Sequence, residues 1–158
     1  GAEIYGHDIN GESLERVKNE FGVNPVSADE LMSMDLDVFS PCAMGAVINP
    51  TTIESLKCSV VAGAANNQLE NEERDSKLLQ EKEIMYVPDY VINAGGLMNV
   101  ANELQGYNKE KAKYQVEGIY YILTRIFDYA ANNNISTLEA ANLLAERRIQ
   151  DYIKWNHQ

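Results

Sequence analysis

The sequence predicts an α/β fold in which helices flank a parallel β-sheet. In the first half of the 158 residues, short apolar runs rich in β-branched side chains alternate with helix-capping patterns, an order typical of parallel sheets. Hydrophobic residues make up 45% and charged residues 23% of the chain, as in ordinary globular proteins. No internal repeat or flexible linker is evident, so we expect a single domain with a helical C-terminal tail.

Four strands are expected, each stopped by a turn signal. They cover residues 2–7, 37–40, 59–62 and 84–87, and Asp8, Pro41, Gly63 and Pro88 follow them. Between the first two strands, Asn10 can cap a helix. This helix would bury Leu14, Val17 and Phe21 and end at Gly22.

Further capping patterns predict the next helices. Ser27 and Glu30 have capping-box spacing after Pro25, which favours a short helix there. Pro50 suits the first position of another helix because its missing N–H would be unpaired there anyway. Residues 71–83 are strongly charged and are expected to form a helix.

Two longer helices are predicted in the second half. Apolar residues at helical spacing indicate one long amphipathic helix, formed around Ala112, Val116, Ile119, Leu123, Ile126, Phe127 and Ala130. A capping box at Ser136 and Glu139 opens the final helix. Its apolar face is expected to consist of Leu138, Ala141, Ala145, Ile149 and Tyr152.

Charge and composition narrow the functional class. The formal net charge of −11 disfavours nucleic acid as a partner, because a surface so acidic repels phosphates. No apolar run approaches the ~20 residues of a membrane helix, and no secretory leader is visible, so we expect a cytoplasmic protein without a membrane partner. The cysteines Cys42 and Cys58 and the histidines His7 and His157 have no metal-site spacing, so no metal is expected.

The ends of the predicted strands hold the candidate binding residues. Asp8 follows the first strand, and ligands of such folds collect at the carboxyl ends of the strands. The next strands give way to small or amide residues, in the runs PCAMG, AGAANN and NAGG. Small residues let the backbone approach a flat ring, and amides offer both a donor and an acceptor to a carboxamide.

Each of these features also has a purely structural interpretation. Asp8 is a common turn residue, and glycine and asparagine often open helices. Cys42 has no histidine near it in sequence to act as a base. Tyr86, Tyr90 and Tyr107 resemble packing residues, and the lysines lie in charged, apparently solvated stretches. No general acid–base set is evident, so no catalytic residue is assigned.

Several strings resemble one known family. DVFSPCAMGAVIN, VVAGAANNQL and VPDYVINAGGLMNVANEL follow one another, and GYNKEKA and VEGIY come after them. Their order and spacing are similar to those of the glutamate/leucine/phenylalanine/valine dehydrogenases, and most of all to the leucine dehydrogenases among them. The resemblance covers essentially the whole chain.

The resemblance implies a Rossmann-like NAD-binding domain beside a separate substrate domain. The family's reaction is reversible oxidative deamination, in which an L-amino acid, water and NAD give a 2-oxo acid, ammonium and NADH. The expected partners are therefore NAD and a small apolar, branched-chain L-amino acid resembling leucine. We expect residues 1–106 to form the nucleotide-binding part and residues 107–158 the C-terminal helices.

The resemblance also assigns residues to roles. Asp8 is similar to the acid that binds the adenosine ribose, and Cys42 and Ala43 to the loop along the cofactor. Ala62, Gly63, Ala64 and Asn66 resemble the family's turn at the nicotinamide end of the cofactor. Asn93 is similar to the family's asparagine near the reaction centre. Val116 and Ile119 are similar to the aliphatic wall of the substrate pocket.

Two parts of the family pattern have no counterpart. The glycine-rich phosphate loop normally lies about 20 residues before the ribose acid, but only seven residues precede Asp8. The family's first strand and its catalytic lysine and aspartate are also missing. We therefore expect a partial NAD-binding domain that is inactive alone and binds NAD weakly or not at all. We also expect it to form a homo-oligomer, to self-associate through the vacant strand position, or to rearrange its sheet.

Two other functional classes stay open. A non-enzymatic binding or assembly module could keep the same nucleotide fold. An unrelated Rossmann enzyme, such as a methyltransferase, would need its own cosubstrate motif, and none is found.

Overall fold

The computed structural model describes residues 1–104 and 106–156, apart from the side chain of Asn156. His157, which the sequence analysis considered as a metal ligand, lies outside the described residues. The last two residues of the predicted domain are also outside them.

Five short parallel strands form two sheets. The strands are β1 (Tyr5–Gly6), β2 (Asn24–Pro25), β3 (Asp35–Phe39), β4 (Lys57–Val61) and β5 (Met85–Tyr86). One sheet has the order β1-β2 and the other β3-β4-β5. In the larger sheet, Val38 pairs with Val60, which in turn pairs with Met85.

These two sheets fit a Rossmann sheet that lacks its central strand. In the Rossmann strand order 3-2-1-4-5-6, β2 and β1 take the places of strands 3 and 2. The strands β3, β4 and β5 take the places of strands 4, 5 and 6. No strand pairing joins β1 to β3 among the described residues. The predicted fold class, an α/β fold with parallel strands and flanking helices, is therefore confirmed.

The open edge of β3 leads to a prediction about association. Val38 is 51% exposed on this strand, and an unpaired edge is a template for another strand. We expect the chain to form dimers in size-exclusion chromatography with light scattering, and Val38→Lys to shift the population towards monomer, because edge lysines block strand pairing. The control is Ser59→Lys on the central strand β4, which has no free edge. Monomers at all concentrations would contradict the prediction.

Nine helices surround the strands in the described part of the chain. They are α1 (Gly11–Phe21), α2 (Ala28–Ser33), α3 (Pro50–Ser55), α4 (Glu72–Glu81), α5 (Asp89–Ile92), α6 (Gly95–Glu103), α7 (Lys109–Glu117), α8 (Ile119–Asn133) and α9 (Thr137–Asn156). Their starts agree with the predicted caps. Asn10, Ser27 and Asn49 each accept a hydrogen bond from a backbone N–H of the first turn.

The predicted buried face of α1 is wrong. This helix has no buried residue, and Phe21 is 70% exposed. Leu14 and Val17 are only half-buried. The capping pattern and the apolar spacing correctly located the helix, but spacing alone does not supply the neighbouring element against which an apolar face packs.

The first strand and the pairing partner of β1 also differ from expectation. β1 covers two residues rather than residues 2–7, and β2 was not predicted. Both residues of β2 are exposed, and one is a proline, which has no N–H for a ladder. No apolar pattern could therefore reveal this strand.

Two apolar cores hold the molecule together. The first lies between the larger sheet and its flanking helices and contains Phe39, Ile48, Val61, Leu79 and Leu138. The second joins α5, α8 and α9 through Val91, Ile126, Ala130, Ala140 and Ala141. Because Leu138 of α9 belongs to the first core, the predicted C-terminal tail begins as an integral part of the fold.

The C-terminal helices differ from expectation in two respects. The predicted long helix is divided at Gly118 into α7 and α8. The face predicted for the last helix is buried only at its beginning, and Ile149 and Tyr152 are exposed. None of the helices in the described residues is long and apolar enough to span a bilayer.

Candidate cofactor site

The loops after β3 and β4 lie against each other at the carboxyl edge of the larger sheet. They contain residues 40–49 and 62–71. Ala65 N donates to Pro41 O over 3.0 Å, and Ala46 N donates to Asn67 O over 2.7 Å. A single parallel bridge between Ile48 and Leu69 closes the pair of loops. Both loops therefore share one backbone framework.

Glycine is required where the two loops touch. A Cβ on Gly63 would lie 2.0 Å from Pro41 O, and one on Gly45 would lie 2.9 Å from Asn67 O. The sequence analysis attributed small residues to close approach by a flat ring. For Gly63, which is buried, the observed reason is contact with the neighbouring loop.

The two loops also repeat one conformation. Ala46 and Asn67 occupy equivalent positions and have left-handed φ values of 57° and 52°. Each is followed two residues later by a buried apolar residue, Ile48 or Leu69. The sequences of the loops share few residues, so this structural repeat was not visible in the sequence.

The third small-residue run is displaced from its strand. The sequence analysis placed Asn93 and the following glycines directly at a strand end, but α5 separates them from β5. Asn93 is the residue after α5, and Gly95 begins α6. The prediction of three tips directly at successive strand ends is therefore wrong for this third run.

Asn93 nevertheless joins the loop after β4. Its Nδ2 donates to Asn66 Oδ1 over 2.6 Å and to Ala64 O over 3.3 Å. No hydrogen bond among the described residues uses Asn93 Oδ1 or Asn66 Nδ2. This pair of side chains therefore presents one free acceptor and one free donor, which together match a carboxamide or a carboxylic acid.

The other predicted cofactor residues of these loops leave an accessible surface. Cys42, Ala43 and Ala64 are exposed, and Ala62 is half-buried. Within the described residues, the Cys42 thiol has one hydrogen-bond partner, Ser40 Oγ at 3.3 Å. Small exposed side chains beside the amide pair would allow a planar ligand to lie along the loops.

Asp8 lies two residues beyond β1 of the smaller sheet. It is exposed, and its Oδ1 accepts a hydrogen bond of 2.7 Å from Asn10 N. This contact is the turn role that the sequence analysis left open. The second carboxylate oxygen has no hydrogen-bond partner among the described residues, and no hydrogen bond there connects Asp8 with the loops of the larger sheet.

The two residues expected in the substrate pocket have different surroundings. A Cβ on Gly95 would lie 3.6 Å from both methyl groups of Val116, so Val116 lies beside the start of α6, near Asn93. Ile119 packs against the second core and lines a cavity of about 660 Å³ together with Val91 of α5 and Ala94. Both Val116 and Ile119 therefore lie near the segment that connects α5 to α6.

The phenols of Tyr86 and Tyr90 are poor proton donors. Burial, with smaller contributions from Asp89, raises the pKa of the Tyr86 phenol well above its usual range. Burial and the charges of Glu72 and Asp89 raise the pKa of Tyr90 to about 12. Both phenols therefore stay protonated near neutral pH.

Among the described residues, no group of three or more His, Cys, Asp and Glu side chains could hold a metal ion.

Two residues that the sequence analysis missed support the site. Gln68 is buried within the loop after β4, and Asp89 begins α5. Asp89 Oδ2 accepts a 3.0 Å hydrogen bond from Gln68 N. Both lie inside the quoted strings, but a polar side chain that binds backbone has no distinctive sequence signal.

Comparison with known proteins identifies the relatives of this arrangement. Residues 2–155 match the model of the family described as Glutamate/Leucine/Phenylalanine/Valine dehydrogenase. The chain belongs to this dehydrogenase family. It is 52% identical over 150 residues to a leucine dehydrogenase of Thermoactinomyces intermedius. The aligned region covers 95% of the chain and 41% of that relative.

Solved structures agree with this membership. The L-tryptophan dehydrogenase of Nostoc punctiforme superposes with a TM-score of 0.92 at 47% identity, over 96% of the chain and 46% of that protein. The glutamate dehydrogenase of Peptoniphilus asaccharolyticus has a TM-score of 0.62 at 21% identity, over 94% of the chain and 35% of that protein, and shares the fold. The chain thus spans less than half the length of these relatives.

Proposed function

We propose that the chain is the NAD-binding part of an amino-acid dehydrogenase that oxidatively deaminates an apolar, leucine-like L-amino acid. The observation that carries this proposal is the Asn66–Asn93 pair, whose 2.6 Å hydrogen bond leaves one donor and one acceptor at the sheet edge. Membership of the dehydrogenase family supports the reaction class.

The residues at this edge fit a nicotinamide cofactor. Cys42, Ala43 and Ala64 are small and exposed, which leaves room for a ring and its ribose. Asn93 Oδ1 and Asn66 Nδ2 would hold a carboxamide. Bound NAD would supply the acceptor for the hydride from the α-carbon of the amino acid.

Within this chain, the proposed work is binding and orientation. The amide pair would fix the cofactor ring, and the methyl groups of Val116 near Gly95 would exclude water from the neighbouring side-chain pocket. Proton transfer is assigned to no residue of this chain. Because the chain covers 41% of its leucine dehydrogenase relative, the proposal places the acid–base groups in the rest of the protein.

The substrate preference rests on Val116, which offers an apolar wall and favours an aliphatic side chain over a charged one. Sequence identity does not separate leucine from tryptophan, because the leucine dehydrogenases are 45–52% identical to the chain and the L-tryptophan dehydrogenase is 48% identical. Leucine is therefore the first substrate to test, with tryptophan as the comparison.

A titration followed by NMR tests the cofactor proposal. We expect millimolar NAD, the range of weak binding near −4 kcal/mol, to shift the side-chain amide signals of Asn66 and Asn93 in ¹⁵N-labelled protein. Adding L-leucine and NAD to the same chain should give no NADH. Shifts confined to other surfaces, or no shifts at all, would refute the proposed cofactor site. Formation of NADH would refute the proposal that the acid–base groups lie in another part of the protein.

A substitution at Asp8 tests the orientation of the cofactor. The carboxylate should repel the additional phosphate of NADP. Asp8→Asn is therefore expected to lower the ratio of the dissociation constants of NADP and NAD about tenfold, which corresponds to ~1.4 kcal/mol. Asp35→Asn is a suitable control, because Asp35 is an exposed acid at the amino end of β3. Equal preferences in wild type and Asp8→Asn would place the adenosine ribose elsewhere.

A further inference from the structure

A buried glutamine organises the loop after β4 from within. Gln68 is 0% exposed. Its Nε2 donates to Gly63 O over 2.8 Å and to Ala65 O over 2.9 Å. The loop that carries Ala64 and Asn66 is therefore wrapped around this one carboxamide.

The same glutamine connects the loop to α5. Gln68 N donates to Asp89 Oδ2 over 3.0 Å, while Tyr90 N donates to Asp89 Oδ1 over 2.6 Å. Asp89 thus uses one oxygen for the loop and the other for its own helix. A carboxylate suits this position because both of its oxygens accept and neither donates.

Asn93 lies one helical turn from this link. Its backbone N–H donates to Asp89 O over 3.0 Å, and α5 between them has only four residues. Because Asp89 is hydrogen-bonded to the loop and α5 is short, this contact sets the position of Asn93 relative to Ala64 and Asn66. Two links, one at each end of α5, join the helix and the loop.

We propose that Gln68 and Asp89 are positioning residues that orient the Asn93 carboxamide for the nicotinamide or the amino acid. The inference rests on the proposed function for the identity of the ligand, but the orientation of Asn93 can be tested without a ligand. Gln68 and Asp89 act through the loop and α5 and do not touch the reacting atoms.

The chemistry of Gln68 argues against simple space filling. Its Oε1 is buried and has no hydrogen-bond partner in the described part of the chain. An unpaired buried carbonyl destabilises a fold, so an apolar side chain of similar size would avoid this cost. What glutamine adds is its pair of donors, which fix two carbonyls on either side of Ala64.

Asp89→Asn is the main test. An amide at this position must turn its NH₂ group towards either Gln68 N or Tyr90 N. One of the two hydrogen bonds that the Asp89 carboxylate accepts from these groups should therefore break. We expect the side-chain NH₂ protons of Asn93 to change chemical shift and to exchange with solvent about tenfold faster, as ~1.4 kcal/mol of lost local stability would produce. Gln68→Leu should have the same effect, because it removes both donors.

Asp75→Asn is the matched control. Asp75 is an aspartate near the start of α4, is fully buried where Asp89 is half-buried, and accepts hydrogen bonds from Asn71 N and Arg74 Nε. Its replacement should lower thermal stability but leave the Asn93 signals unchanged. Unchanged Asn93 signals in a folded Asp89→Asn variant would overturn the proposal, and so would equal changes in Asp75→Asn.

A measurement on the wild-type chain covers the case in which the variants do not fold. The Gln68 backbone amide and the Asn93 side-chain amide should both be protected from hydrogen exchange, and rapid exchange of either would overturn the proposal. If Asn93 responds as expected but NAD does not bind, the positioning role stands and the cofactor assignment fails.

Discussion

Gly63→Ala is expected to lower the free energy of unfolding by about 3 kcal/mol, the upper range for forcing atoms into a packed site. The new Cβ would lie 2.0 Å from Pro41 O. That oxygen is backbone and already accepts a hydrogen bond from Ala65 N, so it cannot move without separating the two loops. Urea denaturation followed by circular dichroism would measure the loss.

Gly96→Ala is the control for this prediction. No atom lies within 4 Å of the added Cβ at Gly96, which belongs to α6. In a helix, alanine is more favourable than glycine by up to ~1 kcal/mol, so this variant should be as stable as wild type or more stable. A Gly63→Ala variant of wild-type stability would show that the loops are not in backbone contact.

Lys82→Met is expected to lower the free energy of unfolding by about 2 kcal/mol, a typical value for hydrogen bonds made by a charged group. Lys82 Nζ donates to Ile53 O over 2.7 Å, to Glu54 O over 2.9 Å and to Leu56 O over 3.2 Å. These carbonyls lie at the C-terminal end of α3, where a cation also complements the helix dipole. Methionine keeps the length of the side chain and removes only the ammonium group.

Lys77→Met separates this effect from a general loss of charge. Lys77 forms a 2.9 Å ion pair with Glu73 one turn away on α4, and both side chains are largely exposed. Exposed pairs of this kind contribute only ~0.3–0.5 kcal/mol. Equal losses in Lys77→Met and Lys82→Met would contradict the capping role of Lys82.

Local chemistry made much of the fold predictable from the sequence. The caps at Asn10, Ser27 and Asn49 act within a few residues, and all three helices begin where predicted. The β-branched run at residues 59–62 likewise revealed β4, because buried parallel strands select such residues. These features depend on neighbours in the sequence.

The features that escaped prediction depend on distant neighbours. Phe21 follows an apolar spacing, but no element of the described chain covers it. Gln68 and Asp89 are polar residues whose partners are backbone groups of another segment. The resemblance to the dehydrogenase family singled out Asn93 as the asparagine near the reaction centre, but only the coordinates show that it donates to Asn66 and Ala64.

The stacked loops separate positions that can vary from positions that cannot. Gly45 and Gly63 face the neighbouring backbone, so selection for foldability restricts them. Cys42, Ala43 and Ala64 face outwards. A mutant library aimed at a different coenzyme or amino acid should therefore randomise these three exposed positions and hold both glycines constant, since the scaffold then stays intact while the surface presented to the ligand changes.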